Sequence, residues 1–274
     1  MLRTRILTAL ALLPVVLGLL FFAPRWLWAA FATVLAMTGC WEWSRLCGFP
    51  PPVQRAYVAV SASLGAGLFA LYQFSPVGLY VGTAQVLLWV AAAFWILAAP
   101  LWLKAELRPA PWVLGLAGWI ALWPLWVAIV DLRDRSRWVL LAAALIVWIA
   151  DIAAYFAGRR FGKRKLAPAI SPGKTWEGVY GAFAGVIAYG IALLAWSTQA
   201  PPTAWWAQFL TALLVLTAVS VVGDLFESWM KRGAGVKDSS SLLPGHGGVL
   251  DRIDALCATL PVAALLVSLK GSAS

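Results

Sequence analysis

Uncharged apolar runs recur along almost the entire chain, and no other feature restricts its fold so strongly. They lie near residues 6–23, 26–41, 56–74, 78–103, 111–130, 138–157, 178–197, 204–226 and 250–269. A span across the hydrocarbon core needs about 20 mostly apolar residues, and in that medium the backbone N–H and C=O groups must find partners within the segment. Helices meet both demands. The sequence therefore predicts an all-α, polytopic integral membrane protein with about nine transmembrane helices. With 62% of its 274 residues hydrophobic and 12% charged, little chain is left for a separate soluble domain.

Lys and Arg exceed Asp and Glu by 21 to 11, a formal charge of +10. In a soluble protein that excess would direct attention to nucleic acid. Here cationic loops have a simpler use, fixing topology and lying against anionic head groups, and no nucleic-acid partner is expected. When successive loops are assigned to alternate faces, sixteen Lys and Arg collect on one face. Five fall on the other: Arg25, Arg133, Arg135, Arg137 and Lys270. The positive-inside rule then puts the N-terminus in the cytoplasm, with the Arg133–Arg137 cluster as a local exception. Arg3 and Arg5 ahead of the first run resemble a signal sequence, but the nearest A-x-A pattern, Ala30-Phe31-Ala32, lies inside the next run. An uncleaved first span is expected.

Cys40, Cys47 and Cys257 lack the spacing of a zinc site or a redox pair and read as small interior residues. Many of the 18 tryptophans fall near run ends, among them Trp26, Trp28, Trp41, Trp43, Trp112, Trp138, Trp205, Trp206 and Trp229, as interfacial anchors do. Residues 1–135 read as scaffold helices, with possible dimer contacts. Residues 136–274 read as the catalytic region, because four places there break the local rules.

Asp151 lies within an apolar run, where an ionised carboxylate costs about 2.5–3.5 kcal/mol near a span centre and asks for a partner. It either sits shallow enough to be wetted beside Arg159 or serves a site. Asp224, Glu227, Ser228 and Lys231 recur at helical spacing at the end of the 204–226 run and would share a face. Carboxylates there oppose the helix dipole, although Glu227 and Lys231 could form a plain i,i+4 pair. Pro244-Gly-His246-Gly247-Gly248-Val-Leu-Asp251-Arg252-Ile-Asp254 is a glycine-rich loop entering the last span, where free N–H groups and a helix start suit an anion. Together with Asp151 and Asp224, the Asp251/Asp254 pair makes a potential set of hard oxygen ligands for Mg²⁺. Lastly, a basic loop leads to Ser171-Pro-Gly-Lys174-Thr175-Trp-Glu177-Gly178. A P-loop is rejected, since Pro168 stands where glycine is needed and a membrane run precedes it. Lys174, in a Ser-Pro-Gly turn, is the candidate phosphate contact.

The stretch from Ser228-Trp-Met-Lys231-Arg232 through Lys237-Asp238 to Asp254 resembles the signature of the phosphatidate cytidylyltransferases, or CDP-diacylglycerol synthases. The Ser-Pro-Gly-Lys-Thr-x-Glu-Gly element and Asp151-x-x-x-Tyr155-x-x-Gly158-Arg159 resemble that family as well. The resemblance implies a Mg²⁺-dependent transfer, with a second cation possible. In it a phosphate oxygen of phosphatidic acid attacks the α-phosphorus of CTP, releasing pyrophosphate and leaving CDP-diacylglycerol for phospholipid biosynthesis. It implies catalytic roles for Asp224, Asp251, Lys174, Lys231 and Arg232, with metal on Asp224, Asp251 and Asp151. Substrate contacts fall to Ser228, Lys237, Asp238, His246, Gly247, Gly248, Arg252, Asp254 and Arg159. It also implies a homodimer in a bacterial inner membrane, with the site facing the cytoplasm. The alternatives are an anionic-solute transporter, since intramembrane carboxylates also line transport paths, or a CTP-dependent enzyme acting on another lipid phosphate.

Overall fold

The computed structural model describes residues 2–105, 109–196 and 203–271; Arg108 lies outside these residues, and the side chains of Arg3 and Arg5 are likewise not described. The helices are α1 (Leu2–Phe22), α2 (Arg25–Leu46), α3 (Pro51–Phe74) and α4 (Val77–Ala93). α4 continues through a π-helical turn (Phe94–Ala98) into α5 (Ala99–Lys104). They are followed by α6 (Pro111–Arg135), α7 (Arg137–Phe161), α8 (Trp176–Trp196), α9 (Thr203–Gly233) and α10 (Leu250–Gly271). A two-stranded hairpin, β1 (Lys165–Ala167) and β2 (Ser171–Thr175), separates α7 from α8.

The protein is thus an all-α polytopic membrane protein, and each apolar run falls on one of these rods. Seven of them, from Pro51 onward and with α4 to α5 taken as one, are long and apolar enough to cross a bilayer. α1 offers a shorter apolar stretch, Leu10–Phe22, and α2 carries Arg25, Glu42 and Arg45. Proline marks many of the starts. Pro51 and Pro111 stand at the first helical position, and Pro24 and Pro76 just before it, where a missing N–H leaves nothing unpaired. The wider π turn precedes Pro100, which cannot donate to the turn before it.

α6 forms the centre, in contact with α2, α4, α7 and α10. α7 and α8 lie close together because small residues face each other. A Cβ on Gly181 would stand 3.0 Å from the Ala153 carbonyl oxygen, the kind of approach that lets membrane helices pack backbone to backbone. On α9, Phe226 is fully buried against Trp43, Phe94, Trp95, Trp102 and Trp229, with ring centroids 5.5–6.2 Å away.

Two of the expected interfacial anchors are interior residues instead. Trp28 and Trp43 are buried, and their indole N–H groups donate to the α6 carbonyls of Ile129 (3.1 Å) and Leu114 (2.8 Å). Burial of an indole is tolerated when its N–H finds such a partner. Trp26, Trp112 and Trp138 remain exposed.

The Arg133–Arg137 exception has a local cause. Arg133 is buried and donates to the carbonyls of Leu19 (3.4 Å), Leu20 (2.9 Å) and Ala23, at and just past the end of α1. Leu19 also accepts from the Ala23 amide at 3.1 Å, but the residue four beyond Leu20 is Pro24, which has no N–H to give. Nearby, Arg25 pairs with Asp134 at 3.0 Å, and Tyr72 donates to the same carboxylate at 2.7 Å. Arg133 and Arg25 are therefore tied to structure and are not simply topological charge.

Candidate active site

The last turns of α9 carry the expected face. Lys231 Nζ lies 2.5 Å from Glu227 Oε2 and 2.6 Å from Asp251 Oδ1, which belongs to the first turn of α10. The i,i+4 pair therefore exists and also ties α9 to α10. One turn deeper, Asp224 forms an ion pair with Lys174 and lies 3.4 Å from the Ser228 hydroxyl.

Lys174 comes from the hairpin. It lies on strand β2 and not in the turn expected for Ser171-Pro-Gly, because Lys165 pairs with Thr175 and Ala167 with Ser171 in antiparallel register. Glu177 anchors the start of the loop by accepting from the backbone N–H groups of Lys163 (3.0 Å) and Arg164 (3.2 Å). Thr175 Oγ1 accepts from Gly178 N at 3.1 Å and so caps α8. These contacts deliver Lys174 to a cavity of about 480 Å³ among α7, α8 and α9, which Asp151, Tyr155, Arg159, Ser220 and Asp224 also line. Arg159 donates to the Tyr155 hydroxyl at 3.1 Å, not to Asp151.

The glycine-rich loop behaves differently from the expectation of a phosphate cradle. Gly247 has φ 83°, in the left-handed region that favours glycine, and this turn lets Gly248 N donate to Asp251 Oδ2 at 2.7 Å. Ser239 N and Ser239 Oγ add two more contacts to that oxygen, each at 3.0 Å. The next two amides, Val249 N and Leu250 N, donate to Glu42 of α2 at 3.0 and 2.6 Å. The anion at this helix start is therefore a side chain of the protein itself. Sequence reasoning missed Glu42. It lies just past the 26–41 run, flanked by Trp41 and Trp43, and a carboxylate between two tryptophans was the available signal.

The other predicted contacts gather at a second, more polar cavity of about 510 Å³, lined by Lys237, Asp238, Ser240, His246, Gly247 and Arg252. Arg252 donates to the His246 carbonyl at 2.8 and 3.1 Å, which fixes the loop, while His246 Nδ1 is buried without a partner among the described residues. Arg232 reaches back to the Ile170 carbonyl of the hairpin at 3.4 Å. Asp254 accepts from the Ala255 amide at 2.8 Å.

The donor chemistry fits a hard divalent ion. Asp151, Asp224 and Asp254 lie within electrostatic reach of one another. The buried Glu227 keeps one carboxylate oxygen, Oε1, without a hydrogen-bond partner among the described residues. Among the described residues no three acidic, histidine or cysteine side chains converge on one point as ligands. Asp224 and Asp251 hold lysines instead, so the three proposed ligands are not gathered around a single position. Mg²⁺ does not demand such a cage, since one or two carboxylates commonly hold it together with substrate phosphates.

The model of the cytidylyltransferase family matches residues 3–270. A phosphatidate cytidylyltransferase of Pseudomonas aeruginosa is 43% identical over 274 residues, covering 97% of each chain. One of Haemophilus influenzae is 35% identical over 95% of this chain and 96% of its own. One of Staphylococcus aureus is 40% identical across about half of each chain, 50% and 52%. The matched residues thus include the helices of the first half as well as the α9–α10 signature, and the chain belongs to the cytidylyltransferase family.

Proposed function

We propose that the chain is a CTP:phosphatidate cytidylyltransferase, converting phosphatidic acid and CTP to CDP-diacylglycerol and pyrophosphate. It would act with Mg²⁺ in a bacterial inner membrane, from a site facing the cytoplasm and as a homodimer. One observation carries this proposal. A single face of α9 connects the cavity among membrane helices, through the Lys174–Asp224 pair, with the polar loop cavity, through Lys231–Asp251 beside Gly247. A reaction that joins a lipid phosphate to a nucleotide needs one apolar-walled and one polar receptacle meeting at fixed charges.

On this reading Lys174 and Arg159 take the lipid phosphate while the acyl chains stay in the bilayer. Lys231, Arg232, Lys237 and Arg252 take triphosphate oxygens. The attacking phosphate monoester is already anionic near neutral pH, so no strong base is required, and the barrier lies in bringing two anions together and stabilising the leaving pyrophosphate. The new bond joins the lipid phosphate oxygen to the α-phosphorus, and the bond broken is the one from that phosphorus to pyrophosphate. Asp224 and Asp251 would hold Mg²⁺, with Asp151 as a further candidate ligand; when bound, the ion neutralises phosphate oxygens. Ser228 supports Asp224 from the same face of α9, and Asp254 supports Asp224 and Lys231 from α10.

The test is purified protein in detergent with CTP, phosphatidic acid and Mg²⁺, with pyrophosphate release followed and EDTA as the control. Release that needs all three components and stops with EDTA is expected. No release, together with solute flux in liposomes, would replace this proposal with a transporter. Release only with a different lipid phosphate would change the substrate.

A further inference from the structure

We infer that Glu42, contributed by α2 from the first half of the chain, is a positioning residue that orients Asp251 through the 239–250 loop; its catalytic consequence rests on the function proposed above. Glu42 is fully buried. Each of its oxygens receives one amide and faces one serine. Oε1 takes Val249 N at 3.0 Å and Ser240 Oγ at 2.5 Å, and Oε2 takes Leu250 N at 2.6 Å and Ser239 Oγ at 3.1 Å. The first amides of a helix have no intrahelical acceptor, a carboxylate there complements the dipole, and hydrogen bonds to an ionised acceptor are the strong kind.

Ser239 transmits this hold to Asp251. Its hydroxyl lies 3.1 Å from Glu42 Oε2 and 3.0 Å from Asp251 Oδ2, and it has a single proton to share between them. Its amide donates to Asp251 as well. Gly248 has no room for a side chain because Ser239 Oγ and Glu42 Oε1 occupy the position a Cβ would take. Glu42 lines neither cavity. Among the described residues it touches the site only through Ser239, Ser240 and the α10 start, which separates it from the residues proposed to meet substrate.

The variant that tests this is Glu42→Gln. It conserves size, yet whichever way the amide is turned, its NH₂ meets the N–H of either Val249 or Leu250, donor against donor. Expected is a fall of roughly 10–100-fold in kcat, the range for residues that orient site ligands, with KM for both substrates far less affected and normal yield of folded protein. Glu42→Asp, which restores two acceptor oxygens, should recover part of the loss. Tyr72→Phe, which removes hydrogen bonds at the opposite end of the bundle, is the control for stability alone, expected to lower the melting temperature and leave kcat intact. Hydrogen exchange of the Ser239–Leu250 amides is measured in parallel, and faster exchange in Glu42→Gln is expected. Unchanged kcat in Glu42→Gln overturns the inference, as does a kcat loss explained wholly by lost folded protein. If the wild-type protein fails to turn over CTP and phosphatidate, the functional proposal falls. The exchange arm still decides the role of Glu42, and unchanged protection rejects it.

Discussion

Replacing Lys231 by Met isolates the energetics of the α9–α10 junction. The ammonium bridges Glu227 and Asp251, whose side chains are 3% and 5% exposed. The two carboxylates would respond differently to its loss. Asp251 keeps the amides of Gly248 and Ser239 and the Ser239 hydroxyl. Glu227 loses the partner of Oε2, and its Oε1 has none among the described residues, so a stranded carboxyl remains that escapes an unpaired buried charge only by taking up a proton. Breaking a buried pair by removing one member costs about 3–5 kcal/mol. At roughly 2–4 °C per kcal/mol for a chain of this size, the melting temperature in fixed detergent should fall by at least about 6 °C. The double variant Lys231→Met with Glu227→Gln removes the stranded ionisable carboxyl and should regain most of that loss, giving a coupling of about 1–3 kcal/mol in a double-mutant cycle. Activity should stay lost in both, because Lys231 is assigned to phosphate. A single variant that melts like the wild type, or a double variant as unstable as the single, would refute this account of where the penalty falls.

Asp224→Asn and Asp251→Asn should each insert normally yet lose more than about 100-fold in turnover, beyond the usual loss at supporting positions around metal sites. Near-normal pyrophosphate release by either variant removes that residue from the proposed metal centre. Gly248→Ala places a methyl group 2.5 Å from Glu42 Oε1, an overpacking that should cost about 1–3 kcal/mol and appear as a lower melting temperature; wild-type melting would mean the loop yields freely. Arg133→Met removes the guanidinium donors from the α1 terminus and should cost about 1.5–3 kcal/mol, with wild-type kcat for the protein that remains folded. A loss of kcat at unchanged melting temperature would contradict a capping role.

Much of the fold was legible because bilayer hydrocarbon permits so few backbone solutions: the positions of the rods followed from the apolar runs alone. The acidic face of α9 was legible because its residues are three and four apart, a spacing that any helix converts into adjacency. Glu42 was not, since it meets Leu250 across 208 positions of sequence and no local period encodes a contact of that range. The glycine loop misled for a related reason. Glycines do free amides for an anion, but sequence cannot say whether the anion is a ligand or a side chain from another helix. Trp28 and Trp43 were misassigned because their sequence neighbourhood near run ends is the same as that of Trp26; only the facing carbonyls of α6 distinguish them.

The pairing of two candidate metal ligands, Asp224 and Asp251, with candidate phosphate contacts has an electrostatic logic. Asp151, Asp224, Glu227, Asp251 and Asp254 meet Lys174 and Lys231 around the end of α9, so carboxylates outnumber ammonium groups. Such a nest alone is a poor host for two anionic substrates. Lys174 and Lys231 can reach a substrate phosphate fully only by loosening their hold on Asp224 and Asp251, and each carboxylate so released would be an uncompensated charge in a partly buried site. On the proposed function, Lys174 and Lys231 would turn to substrate phosphate, which would free Asp224 and Asp251 to hold a divalent ion. The same exchange explains why Asp251 is held by backbone and serine donors as well as by Lys231. A carboxylate that would change its cation during turnover keeps its orientation only if something other than that cation fixes it, and Glu42 holds the Ser239 hydroxyl and the two amides that follow Gly248, those of Val249 and Leu250.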